Sequence, residues 1–300
     1  MKKVLIFVFA ILGYCTTINA QSIIDADNQH NPNDFYQGDI ITGKKAMPFP
    51  STRIADVVWD NIVWREIDFN EKFNQFFYFP VNNETSTQGR ISLVNLIMRA
   101  VRNGEIPVYE DDDMVKELDL AEAIKLLVGD PYNKKVEALD ADGQPIYDEE
   151  TDDYVMKDSL VTRSFDSTSV MKIRLKEKWY IEKQDTRQKV RIIGLAFQYL
   201  KETLTGGQAL EWSFWIPMDD MRVRQVLVNA NAYDENNNVV ERSYDDIFIQ
   251  RYFDSYIIRE TNNNDYNRYI SDYLTGEDAI LESQRIEDRI FDIESDMWEY

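Results

Sequence analysis

Hydrophobic residues change their spacing several times along the chain, and each change marks a predicted element. From Ile54 onward, Val57, Val58, Trp59, Ile62, Val63 and Trp64 recur every three or four residues, which predicts a helix; Trp64-Arg65-Glu66-Ile67-Asp68 then alternates as a strand does. Phe73, Phe76, Phe77, Tyr78 and Phe79 crowd up to Pro80. So much ring area exposed together would be an aggregation hazard or an interface, so these rings are expected to be largely buried in a local core. Ile91, Leu93, Val94, Ile97, Met98 and Val101 trace a second helical face, which Asn103-Gly104 ends. Ile106-Pro107-Val108-Tyr109 reads as a short edge strand, because Pro107 cannot donate within a central ladder. Asp119 is placed to cap a helix whose Leu120, Ala121, Ile124, Leu127 and Val128 face inward, and Gly129-Asp130-Pro131 stops it.

The middle of the chain carries the strand signal. Val136 to Tyr154 reads as a hairpin turning at Asp140-Ala141-Asp142-Gly143, with its second strand through Pro145-Ile146-Tyr147 and an acidic stretch after it. Met171, Ile173 and Leu175 alternate with Lys172, Arg174, Lys176 and Lys178, and Trp179-Tyr180-Ile181 leads to a break at Asp185-Thr186. A second apolar ribbon runs from Val190 to Tyr199, so a two-strand pair is the simplest reading, although Ser167 to Lys178 could begin as a helix. Gly206-Gly207 turns the chain, and Trp212, Phe214 and Ile216 alternate with Glu211, Ser213 and Trp215 up to Pro217. Asp219 or Asp220 can cap a short helix holding Met221, Val223, Val226 and Leu227, and Asn231 to Val240 resembles another hairpin. Helical spacing then runs through Tyr244, Ile247, Phe248, Tyr252, Phe253 and Ile257, and again through Tyr266, Tyr269, Ile270, Tyr273 and Leu274. The last helix has Thr275 and Asp278 as a capping box and a stripe of Ala279, Ile286, Ile290, Ile293 and Met297, ending in Trp298 and Tyr300. The expected class is α+β, with antiparallel strands in the middle packed by amino-proximal and carboxyl-proximal helices.

The amino-terminal end differs from the rest. Lys2 and Lys3 precede an apolar run from Val4 to Leu12, and small Ala20 precedes polar sequence, the layout of an export signal cleaved after residue 20. The run is too short to span a bilayer. Cys15 is the sole cysteine, so the mature chain is expected to hold together without disulfides. Residues 21–52, with Asn31-Pro32-Asn33, Gly38, Gly43 and Pro48-Phe49-Pro50, read as an extended arm, and Phe35, Tyr36, Ile40 and Ile41 give it the means to dock. A docked arm and a flexible leader are both open. Residues 53–300 read as one α+β domain with a soft division near 130–165.

Charge narrows the function. The chain has 33 basic and 54 acidic residues, net −21; losing Lys2 and Lys3 leaves 31 basic against 54 acidic, net −23. Such a field repels nucleic acid and anionic lipid and favours partners with basic patches. The local exception is Lys172, Arg174, Lys176, Lys178 and Lys183, read either as an internal balance to acidic faces or as an external anion site. Asp111-Asp112-Asp113 invites a metal reading, but consecutive side chains rarely converge, so a solvated loop is expected. From Asp140, calcium-loop positions six and twelve hold Pro145 and Thr151 instead of glycine and glutamate.

His30 is the single histidine and lies in the arm, which leaves no histidine triad, cysteine nucleophile or soft-metal cluster for the folded region. Phosphate-loop, dinucleotide and serine-elbow patterns are missing from the sequence. A carboxylate pair for glycoside hydrolysis remains open only because acids are so abundant. The expectation is therefore a non-enzymatic interaction or structural protein without cofactor or metal. Its 38 aromatic residues provide packing surface without choosing a partner. Candidate partner-facing residues are Phe35, Tyr36, Trp179, Tyr180, Trp212, Trp215, Trp298 and Tyr300.

Several stretches together resemble the GldN/PorN family: Trp64 to Asp68 leading to Phe77-Tyr78-Phe79-Pro80, Gly104-Glu105-Ile106, Lys178 to Glu182 with Arg191-Ile192-Ile193-Gly194, and Arg224 to Asn229. Ser243 to Asp246, Arg251 to Ile257, Asp278 to Ser283 and Trp298-Glu299-Tyr300 add to the likeness, which covers roughly Arg53 to Tyr300. The resemblance implies a periplasmic, non-enzymatic component of gliding motility and type IX secretion in Bacteroidetes. It also implies association with an outer-membrane lipoprotein, GldK or PorK, in a ring with neighbouring copies, close to the motor pair GldL/GldM or PorL/PorM. The alternative is a periplasmic module that captures a polysaccharide or peptide on Trp179, Trp212 and Trp215.

Overall fold

Long runs rich in β-branched and aromatic residues form the centre of the protein. The computed structural model describes residues 44–81, 90–128, 132–137, 147–148, 153–154, 156–161, 165–185, 187–202, 207–233, 242–261 and 268–298. In chain order the strands are β1 (Val57–Asp68), β2 (Tyr132–Glu137), β3 (Tyr147–Asp148), β4 (Asp153–Tyr154), β5 (Met156–Val161), β6 (Val170–Glu182), β7 (Gln188–Glu202), β8 (Gln208–Pro217) and β9 (Tyr256–Glu260). The helices are α1 (Leu93–Arg102), α2 (Leu120–Val128), α3 (Met221–Val228), α4 (Tyr244–Gln250) and α5 (Glu277–Trp298). Five strands make one sheet in the order β8-β7-β6-β1-β9, and every neighbouring pair is antiparallel. With helices before and after it, the fold is α+β.

β1 corrects the first predicted helix. Its Val57, Val58, Ile62 and Val63 are β-branched, a side-chain type that fits a pleated surface better than a helix. Being placed between β6 and β9, it is buried on both faces from Val63 to Ile67, which erases the alternation that would have revealed it. The β6–β7 pair and β8 fall where the alternation predicts them.

One face of the sheet carries Ile67, Ile173, Leu175, Leu195, Phe197, Phe214 and Ile216 into the main core. Onto it pack α1 through Leu93, Leu96, Ile97 and Val101, α3 through Val223 and Leu227, and α4 through Tyr244, Ile247 and Phe248. These helices start where short polar side chains accept a free amide: Ser92 from Asn95, Asp220 from Arg222 and Ser243 from Asp246. Gly104, at φ 68°, takes the left-handed turn that ends α1. A second cluster joins Ser283-flanking residues of α5 to the sheet: Ile286 and Ile290 meet Val63, Trp179, Ile257 and Ile270. The Ser283 hydroxyl accepts the Ile257 amide at 2.8 Å, which ties α5 to β9.

Several expectations need correction. β2 pairs with β5, and the small β3–β4 pair lies between them in sequence, so the predicted Pro145–Tyr147 partner is replaced; the Asp140–Gly143 turn lies outside the described residues. The soft division near 130–165 falls where much of the chain is likewise outside them. Tyr109 alone of its run makes bridges, to Glu117 and to Trp215 on the sheet edge. α2 buries Ala123 and Leu127, while Leu120, Ala121 and Ile124 face outward. α4 stops at Gln250 because Arg251 turns left-handed at φ 53°, and β-branched Ile257 and Ile258 then run in edge strand β9. Ile270–Asp272 forms a single 3-10 turn instead of a helix.

Candidate functional site

The face opposite the main core is built from charge and aromatic rings. Alternation along β6 puts Lys172, Arg174, Lys176 and Lys178 on this face, and the register of β1 sets Asp68, Glu66, Trp64 and Ile62 against them in that order. Arg174 donates to Glu66 at 2.6 Å. Lys172 donates to the Tyr256 hydroxyl at 2.7 Å, and that hydroxyl donates to Glu66 at 2.9 Å. Lys178 pairs with Asp60 at 2.8 Å. Lys183 donates to the Ala55 carbonyl at 2.9 Å.

The loop after Tyr109 closes over this face. Lys176 donates to the Asp112 carbonyl at 2.6 Å, and the Asp112 carboxylate accepts from the Trp64 indole at 3.0 Å and from Arg259 at 3.5 Å. Asp112 is thus a hub rather than a solvated loop residue, while Asp113 remains exposed. Gly194 leaves room for the Met114 side chain of this loop, whose methyl a Cβ there would meet. Arg174 lies 3.7 Å from the centre of the Trp212 ring and 4.8 Å from that of Tyr269, and Arg259 lies 3.6 Å from that of Trp64. Cations held between rings and carboxylates in this way stiffen the face and leave it close to neutral. The basic stripe therefore balances internal acids.

Burial and partners act in opposition on this network. Burial pulls the Lys172 ammonium down, but its bond to Tyr256 and the nearby Glu66 and Asp68 charges outweigh it and leave the pKa raised. Burial, as the largest cause, also raises the Tyr256 phenol, so this bridge stays protonated at both ends at neutral pH. Among the described residues no group of three or more histidine, cysteine or acidic side chains is placed to hold a metal ion.

A second surface lies at the far edge of the main core. In the 3-10 helix Lys72–Phe77, Phe77 is buried and stacks with Tyr244 and Phe248. Phe73 faces out, 47 % exposed, with its ring 4.8 Å from that of Tyr252, itself 42 % exposed. Ile249 is 51 % exposed on the same end of α4, and Arg242 lies over the Tyr252 ring at 4.1 Å. The expectation that these aromatics are largely buried thus holds for Phe77 and fails for Phe73 and Phe79. Beside Phe73, the buried Asn74 side chain gathers three acidic residues, bonding to the Glu71 carboxylate at 2.7 Å and to the Asp68 and Asp254 carbonyls at 3.0 Å. Burial, then the Asp254 and Asp68 charges, raise the Glu71 carboxyl.

Residues 52–299 match the family described as gliding motility associated protein GldN. The chain belongs to the GldN family. No curated protein matches it.

In this GldN-family chain the aromatics singled out from sequence have separate positions. Trp179 is buried against α5 and donates to Glu177 at 2.8 Å; Tyr180 is buried too. Trp215 and the half-buried Trp212 sit in the cluster around Trp64. Trp179 therefore does not join Trp212 and Trp215 in one cleft, and the rings of Trp179, Tyr180 and Trp215 are engaged within the chain. Trp298 ends α5; Phe35, Tyr36, Tyr300 and His30 lie outside the described residues. The described end of the arm is docked: Ala46 and Lys44 bond to Gln225, Arg191 donates to the Pro50 carbonyl at 2.7 Å, and Arg224 donates to the Met47 carbonyl. Arg224 also donates two buried hydrogen bonds to the Asp245 carboxylate, at 3.0 and 2.8 Å, and stacks on Phe49. Sequence reasoning missed Asp112, Arg224, Arg259 and Tyr269, whose partners are distant in the chain. Among the described residues, no helix is long and apolar enough to cross a membrane.

Proposed function

We propose that this chain is a structural component of the periplasmic ring of the type IX secretion and gliding machinery. It is held at the outer membrane through a GldK/PorK-type lipoprotein, beside neighbouring copies and near the GldL/GldM or PorL/PorM motor pair. Membership of the gliding-motility family supports the setting. The observation that carries the scaffold reading is the exposed Phe73–Tyr252 pair, backed by Phe76. Aromatic side chains fixed from behind lose little freedom on association and make good anchors.

Co-expression with the lipoprotein followed by electron microscopy tests the proposal. A closed or arc-shaped hetero-oligomer is expected. A persistent monomer beside the lipoprotein would contradict it, and so would outer-membrane retention that is unchanged when the lipoprotein is removed.

A further inference from the structure

We infer that β7 and α3 carry a peptide-recognition site, that residues 44–50 of this chain are its resident ligand, and that the same segment of a second copy can take their place. The inference goes beyond the ring reading and does not depend on it.

This strap is read through its main chain. Gln225 of α3 accepts from the Ala46 amide at 3.1 Å and donates to the Lys44 carbonyl at 2.8 Å, so one side-chain amide pairs with the strap as a neighbouring strand would. Further along, Arg224 donates to the Met47 carbonyl, and Arg191 of β7 donates to the Pro50 carbonyl at 2.7 Å. The division fits the sequence Ala46-Met47-Pro48-Phe49-Pro50. Where prolines remove the amides the site offers donors, and where Ala46 keeps its amide the site offers an acceptor. Pro48 and Pro50 also bias Met47 and Phe49 towards an extended backbone. Side chains add selectivity: Ala46 is buried, and the Phe49 ring centre lies 4.1 Å from the Arg224 guanidinium and 5.0 Å from that of Arg191. The ligand class is an extended peptide with an aromatic residue between two prolines and a small residue ahead of them.

Site and ligand are held with unequal strength. Arg224 is 3 % exposed, and its two bonds to Asp245 of α4 fix the guanidinium independently of the strap. In the strap, Lys45, Met47, Pro48 and Pro50 are exposed, and Ala46 alone of residues 44–50 is buried. A preformed receptor beneath a thinly buried segment favours exchange, since release uncovers little apolar area and the receptor needs no reordering. The strap joins the domain through exposed Ser51 and through Thr52, which bonds to Glu182 at 2.7 Å, so a turn ahead of Thr52 frees it without disturbing β1. The same segment of a second copy presents the same carbonyls, amide and ring, and exchange conserves each of these contacts.

The test uses the full-length chain with its strap loosened by Phe49→Ala or, independently, by Ala46→Lys, and a fluorescent peptide of residues 44–52; thermal melting checks the fold of each variant. The wild-type chain should bind the peptide weakly, because its own strap competes at an effective concentration of about millimolar. Each loosened chain should bind it about tenfold more tightly than wild type, and a peptide carrying Phe49→Ala should lose that gain. In a second arm, an isotopically light chain with a photo-crosslinking residue at exposed position 47 is incubated with heavy wild-type chain, and cross-links from position 47 to heavy α3 are expected. Folded, loosened chains that bind the peptide no better than wild type, or bind both peptides alike, overturn the site. Cross-links confined to the light chain overturn exchange with a second copy. The second arm leaves strap and site intact, so it decides the matter if the loosened chains do not fold. Neither arm uses the lipoprotein, so failure here leaves the ring reading standing.

Discussion

On one face of the sheet, Ile67, Ile173, Leu175, Leu195, Phe197 and Phe214 meet the helices through apolar contact, whereas the other face sets Trp64, Trp212 and Trp215 among Arg174, Lys176, Arg259, Glu66 and Asp112. The apolar face is stabilised in proportion to the area removed from water, about 25 cal/mol per Å². On the charged face, Coulomb attraction is largely offset by the desolvation of each ion, so its contribution lies in fixed geometry more than in net stability. The contrast changes the meaning of two sequence features. A lysine–arginine stripe on an acidic protein is an internal brace here, and tryptophans that look available for a partner are part of that brace or of the core.

Truncating the apolar face should have the largest effect. Phe197→Ala removes a fully buried ring and is expected to cost about 4 kcal/mol in urea denaturation, with the slope unchanged. Next comes the charge that this face admits. Glu177 is completely buried and held by Arg251 at 2.8 and 3.1 Å, so Arg251→Ala strands a carboxylate in the interior, at a cost of about 3 kcal/mol. The backbone strain released at φ 53° offsets little of that, since alanine shares the constraint.

The charged face should respond less. Asp112→Ala leaves the Trp64 indole and Arg259 short of an acceptor, but Asp112 is itself partly open to water, and the expected loss is about 2 kcal/mol. A loss as large as that of Phe197→Ala would break the comparison and make this face an equal contributor. The smallest effect is at the acidic edge. The Glu71 carboxyl is raised, so between its unfolded and folded values the folded state binds more protons and stability falls as pH rises. The penalty is absent below the ordinary value of 4.5 and complete above the folded one. Glu71→Gln, which still accepts from Asn74, should therefore raise stability at pH 7 by a few tenths of a kcal/mol, after allowance for screening by water, and be neutral at low pH. Melting curves at the two pH values check it.

How much of this was legible in the sequence depended on the range of the interactions. α1, α3 and α5 were readable because their apolar stripes repeat within a turn or two; Ile286 and Ile290 face inward on the predicted side. The β6, β7 and β8 strands were readable because each has one polar and one apolar side over part of its length. β1 was not, since burial on both faces removes the period that distinguishes a strand, and three- and four-residue spacings among crowded apolar residues then imitate a helix. The Tyr252–Ile257 stretch misled for a related reason: the left-handed turn at Arg251 is fixed by Glu177, 74 positions away, and no local signal announces it. Asp112 looked like one of three solvated acids because its partners come from β1, β6 and β9. Conversely, Phe73 and Phe77 are indistinguishable as residue types, and only the 3-10 geometry points one in and the other out.

The central claim is that assembly engages the exposed aromatic platform and leaves the braced face of the sheet unchanged. Amide hydrogen exchange of the chain, free and bound to the lipoprotein, tests it directly. The account predicts added protection on binding in residues 71–79 and 249–254, with none in the loop 109–118 that covers the charged face. Protection confined to 109–118 and to β8 around Trp212, with 71–79 and 249–254 unchanged, would contradict it.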